Sequence, residues 1–196
     1  MSFHRLTVKY FVRDPNAVDL TPLIGVFHRW IQEKRLEGLP IDVADYRHVF
    51  HGPGVILVGH EYDYALDMAE GRPGLQYVQK RRGAAALADA LRGAFSAVLT
   101  GCRMLEEESG LKAPLTFATD EVQLTIPDRL RAPNTATTLE ALKAQVIDCA
   151  GQLYGPAGLT IDRDDGDERH ALTLRIKASQ DEGVGVLLDR LAAVGA

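Results

Sequence analysis

Segments of alternating hydrophobicity are interrupted by segments of helical period, and they do so twice in the same order. That order restricts the fold more than any single motif. Leu6–Val12 reads LTVKYFV, an alternating run of β-formers that predicts a strand. "DPNAVDL" is a turn, and Thr21-Pro22 supplies an N-cap with proline at the first helical position. Leu23, Ile24, Phe27, Trp30 and Ile31 then predict an amphipathic helix over about 22–36, closed by Gly38 and Pro40. "IDVADY" is a short strand, Gly52-Pro53-Gly54 a turn, 55–66 one longer strand, and 75–80 another short one after "GRPG". A long helix over about 84–107 ends near Gly110.

The second half follows suit. Residues 115–126 predict a strand and 127–137 a polar loop. Thr137 and Glu140 form a capping box for a helix to Tyr154, with Leu139, Leu142, Val146 and Leu153 on its buried face. Strands over 159–164 and 167–177 are joined at Asp165-Gly166, a dipeptide that accepts positive φ. Ser179 and Glu182 cap a last helix to about Ala193.

Each half therefore reads strand, helix, strand, strand, helix. The expectation is an α+β fold of two layers, a mainly antiparallel sheet with helices on one face, built from a degenerate duplication. "ESGLKAP" at the seam is too short for a linker, so residues 1–196 form a single domain whose halves, about 1–110 and 111–196, share one core. The order resembles duplicated strand–helix–strand–strand folds such as the GyrI-like and SOUL haem-binding groups. That resemblance implies a ligand groove between the halves. It is one of topology alone, carries no motif residues, and transfers no residue roles.

Composition narrows the function classes. Lys plus Arg is 22 against 27 for Asp plus Glu, a net charge of -5, which argues against nucleic acid and anionic membranes as partners. No uninterrupted apolar run is long enough for a membrane span, and "MSFHRLTVKYFVRD" reads as a strand with no signal-peptide pattern. Cys102 and Cys149 are far apart, outside any CxxC, and fall on the apolar faces of their helices, so they read as buried thiols of a cytoplasmic protein. There is no Walker A, GxGxxG or G-x-S-x-G motif. "IDRDDGDERH" fails the EF-hand pattern, because aligning Gly166 puts Ile161 and Arg163 where acids belong.

Chemistry-bearing residues concentrate in "RHVFHGPGVILVGHEYDYALD" (47–67). On one continuous strand, Ile56, Val58, His60, Tyr62 and Tyr64 share a face, and Val55, Leu57, Gly59, Glu61 and Asp63 share the other. Glu61 and Asp63 then form a carboxylate pair suited to a cation or to acid/base work, or else a solvated strand end. If the segment before Gly52 folds back, His48 and His51 approach His60 in a corner suited to a divalent metal such as Zn or Fe. Arg72, Lys80, Arg81 and Arg82 are candidate anion ligands, and Arg129 on the polar loop could face the same groove as Glu61. Gly93, Ala97 and Gly101 form a small-residue ridge that lets another helix approach, either the last helix or the same helix in a homodimer.

These signals give a first reading and two alternatives. The first is a non-catalytic small-ligand-binding module with its groove between the halves, using His60, Glu61, Tyr62, Asp63, Tyr64 and Arg129. The first alternative is a metal-dependent hydrolase-like enzyme centred on His48, His51 and His60. The second is a structural or partner-binding protein.

Overall fold

The structure is a computed structural model that describes residues 5–50, 52–80, 86–155 and 158–194. One eight-stranded antiparallel sheet carries four helices. In chain order the elements are β1 (Leu6–Val12), α1 (Thr21–Gln32), β2 (Pro40–Tyr46), β3 (Gly54–Gly59), β4 (Tyr62–Asp67), β5 (Gly74–Gln79) and α2 (Leu87–Glu106). The chain continues through β6 (Phe117–Ile126), α3 (Ala136–Tyr154), β7 (Thr160–Arg163), β8 (Leu172–Lys177) and α4 (Val184–Val194). The spatial order is β2-β3-β4-β5-β1-β6-β8-β7, so the fold is the two-layer α+β arrangement the periodicities imply. No helix among the described residues is long and apolar enough to cross a membrane.

Alternation decides which face is buried. Leu6, Val8, Tyr10 and Val12 of β1 join Leu75, Val122, Leu124 and Leu174 in one core with the helices. The helices answer with stripes at helical spacing: Leu23, Val26, Phe27 and Trp30 of α1, and Leu91, Phe95, Val98, Cys102 and Leu105 of α2. β1 and β6 sit mid-sheet and are the strands through which the two halves pair. Behind them the hydroxyls of Tyr10 and Tyr154 share a 2.5 Å hydrogen bond, tying β1 to α3.

The far face of β1 is also covered. Lys9 Nζ donates to Asp67 Oδ2 at 2.5 Å, and the two residues are only 3% and 7% exposed. Lys9 lies 5.3 Å from the centroid of the Phe11 ring. The Arg72 guanidinium stacks on that same ring at 3.8 Å and bonds Glu121 Oε1 at 2.8 Å. Arg72 is thereby committed within the protein.

Several local expectations change. The single strand over 55–66 is a β-hairpin: β3 and β4 pair antiparallel around His60 and Glu61, with Leu57 opposite Tyr64 and Val58 opposite Asp63. Gly59 permits the reversal, because a Cβ there would stand 2.7 Å from the Tyr62 carbonyl oxygen. The first half therefore supplies five strands and the second three. The capping residue of α3 is Thr135, whose side chain accepts from the Thr138 N–H, two residues before the capping box expected at Thr137. The β7–β8 connection spans 164–171 and is no two-residue turn at Asp165-Gly166, because Asn134 and Arg163 hold its carbonyls in an open loop. Glu182, just before α4, pairs with Arg190 of that helix.

Candidate functional site

At the end of the sheet where β4 meets β5, the core side is not filled. A cavity of about 510 Å³ opens between the two strands and α2. Its floor is set by register. Tyr62 stands opposite Gln79, and Tyr64 opposite Tyr77, so four inward-facing side chains form a square patch. α2 roofs it with Gly93, Ser96, Ala97 and Thr100, and the α1–β2 loop closes one side through Arg35, Leu36, Glu37 and Gly38. Glu61 stands at the rim. All of these residues lie between 35 and 100, within the first half of the chain.

The tyrosines form a mutually packed cluster. Tyr62 and Tyr64 meet edge-on with centroids 5.5 Å apart, Tyr64 and Tyr77 edge-on at 5.1 Å, and Tyr62 and Tyr77 stack at 5.8 Å. Tyr62 donates its hydroxyl to the Glu37 carbonyl at 2.6 Å, and Tyr64 donates to the Ala97 carbonyl at 2.9 Å. With both hydroxyls held by backbone, these two present ring surface to the cavity. Gly38, at φ +83°, brings the α1–β2 loop against the Tyr62 ring.

Burial and the neighbouring Tyr77 push the Tyr62 phenol up to about 12. Burial, with the Tyr77 and Tyr62 neighbours, raises Tyr64 strongly, and burial likewise raises Tyr10 and Tyr154. The ionised form is disfavoured in the fold, so each folded-state value exceeds the unfolded value of about 10. The stability this carries is complete below about pH 10, and for Tyr62 it is lost between about pH 10 and about pH 12. Phenolate absorbance should therefore go on rising to higher pH in the native protein than in denaturant. A native titration that coincides with that of the denatured chain, with unchanged circular dichroism, would refute this.

Opposite these aromatics lies the charge the sequence grouped with them. Asp63 points to the far face, bonds Lys80 at 2.7 Å and accepts the Gly59 N–H at 3.2 Å, closing the hairpin. It does not pair with Glu61, because Glu61 belongs to the reversal and not to the strand. His60 is exposed at the hairpin tip, where its backbone N–H bonds the Leu39 carbonyl. Arg129 donates to the Arg169 carbonyl beside the β7–β8 loop and does not line the cavity. Of the six expected ligand contacts, Glu61, Tyr62 and Tyr64 meet at one cavity, whereas His60, Asp63 and Arg129 are directed elsewhere.

The histidine corner does not form between the described histidines. His48 follows Tyr46, which pairs with Gly54 at the start of β3, and His60 follows Gly59 at its end. The length of β3, roughly 17 Å at the usual strand rise, separates them. His48 stacks beside Tyr46. His51, Arg81 and Arg82 lie outside the described residues. Among the described residues no group of three or more His, Cys, Asp or Glu side chains is placed to hold a metal ion.

The small-residue ridge of α2 faces its own sheet. A Cβ at Gly101 would stand 2.8 Å from Leu75 Cδ2 and 2.9 Å from Tyr64 Cε1, so this glycine seats the tyrosine. Gly93 and Ala97 continue along the cavity roof. Both cysteines are buried and free, and burial raises both thiols, Cys149 to about 11.

Sequence reasoning missed Tyr77, Gln79, Ser96, Thr100 and Arg35. For Gln79 a signal was present. Leu75, Tyr77 and Gln79 alternate onto one face, which places a polar amide at an inward register position. No protein family, curated protein or solved structure matches this chain.

Proposed function

We propose that this protein is a small-molecule-binding module whose site is the cavity between the β4–β5 end of the sheet and α2. The observation that carries the reading is Gln79. Its side chain is nearly inaccessible, lines the cavity, and has no hydrogen-bond partner at either amide atom. Buried polar atoms are almost always paired, because leaving one unsatisfied costs about 1–3 kcal/mol. The lining combines the tyrosine rings with polar side chains, among them Ser96, Thr100 and Gln79, and about 510 Å³ falls within the usual volume range of a ligand pocket. The site differs from the groove implied by the topological resemblance, since one half of the chain supplies every lining residue. The metal-dependent reading lacks the convergence of His48 and His60 on which it depended.

Thermal shift of the full chain against a library of small neutral and charged metabolites tests this. A true ligand at a hundred times its Kd should stabilise the fold by about 2.7 kcal/mol. The gain should vanish in Ser96→Trp, which places an indole in the cavity. Silence across the library, or hits that stabilise wild type and Ser96→Trp equally, would remove the reading.

A further inference from the structure

We infer that the cavity recognises a neutral planar molecule through an amide-like edge, one hydrogen-bond donor beside one acceptor, paired in two-point fashion with the Gln79 side chain. This rests on the binding-module reading and adds the ligand's chemical class.

Gln79 carries the argument because its requirement is double. Both its amide nitrogen and its amide oxygen are unpartnered, and both are covered while the cavity is empty, so the pairing requires the Gln79 side chain to turn its amide into the cavity. A group that only accepts satisfies the nitrogen and strands the oxygen. A group that only donates does the reverse. The complement of a primary amide is another edge with donor and acceptor side by side, as in a lactam, a carboxamide or an aminopyridine-type ring. Glutamine and asparagine read the adenine edge by this same pairing.

The rest of the cavity favours a flat and uncharged body. Tyr62 and Tyr64 have given their hydroxyls to backbone carbonyls, so they offer ring faces and edges. Tyr62 and Tyr77 are only 5.8 Å apart, too close to admit a ring between them, so the ligand lies against the cluster. The rim carries Glu37 and Glu61, and Arg35 is drawn towards Glu108 at 4.0 Å. A carboxylate or phosphate would meet that acidic rim and would leave the Gln79 oxygen unpaired.

The test uses the full chain and three single-ring probes that differ only at the edge, titrated by calorimetry and ligand-observed NMR. Benzamide presents donor and acceptor, acetophenone an acceptor alone, and benzoate two acceptors and a charge. Benzamide should bind at least tenfold more tightly than the other two. Gln79→Leu should lose at least tenfold of that affinity while keeping the wild-type circular dichroism. Gln79→Glu, which cannot offer the donor, should lose it as well. If the three probes bind equally, or if Gln79→Leu binds benzamide as wild type does, the amide-edge inference falls while the cavity remains a binding site. If no probe binds, the inference falls: a melting temperature raised by Gln79→Leu then marks an amide left unpaired by the fold, and a lowered one marks an amide held by trapped water.

Discussion

Replacing Asp67 with alanine is expected to destabilise the protein by about 3–5 kcal/mol, because it leaves the Lys9 ammonium buried without its carboxylate. Lys9 and Asp67 are 3% and 7% exposed, and their 2.5 Å contact lies between mid-sheet β1 and β4, beneath the Arg72–Phe11 stack. The Phe11 ring, 5.3 Å away, offsets only part of the lost charge pairing. The informative companion is the double variant Lys9→Met/Asp67→Leu. Removing both charges removes the desolvation penalty with the attraction, so most of the lost stability should return. Urea unfolding of the two variants and wild type reads both values. A loss below about 1 kcal/mol for Asp67→Ala would mean that water reaches the pair, as at a surface salt bridge.

Gly54→Ala should cost about 4 kcal/mol, for two reasons that add. Gly54 sits at φ +69°, where a side chain costs about 1–3 kcal/mol. An added Cβ would also stand 2.3 Å from the Leu66 carbonyl oxygen of β4, and a backbone atom in a paired strand cannot rotate aside. Displacing it adds a further 1–3 kcal/mol or so. Gly71 separates the two contributions. Its φ is +67°, but no neighbouring atom lies within 4 Å of where a Cβ would stand, so Gly71→Ala should cost only about 1–2 kcal/mol. Equal losses at the two glycines would show that the close approach to Leu66 contributes nothing.

Where an element declares itself by its own period, the sequence sufficed. β1 falls on the expected Leu6–Val12 because seven residues alternate without interruption, and Leu142, Val146 and Leu153 mark the buried face of α3 as expected. The β3–β4 reversal was hidden because His60-Glu61 is no ordinary turn dipeptide and both flanks are rich in β-formers. Only Gly59 signalled it, and a glycine within a strand pattern also signals a bulge. That one missed turn reversed the facing of everything after it. Tyr62 and Tyr64 lie on the Val55 and Leu57 side, not beside Ile56 and Val58. The cavity was half legible for a related reason. Tyr62 and Tyr64 stood out as residue types, but Ser96 and Thr100 come from a helix whose placement over β4 depends on packing, which no local pattern records.

The central pairing of β1 with β6 has a consequence for synthesis. Thr7 finds Thr125 and Val8 finds Leu124, so β1, once it leaves the ribosome, waits for a partner from far along the chain. Its other neighbour, β5, is available much earlier, with Leu6 meeting Gln79. At 5–20 residues per second, roughly 2–10 s separate the two pairings. For that interval β1 is an open edge bearing Val8 and Tyr10, a template for any extended chain nearby.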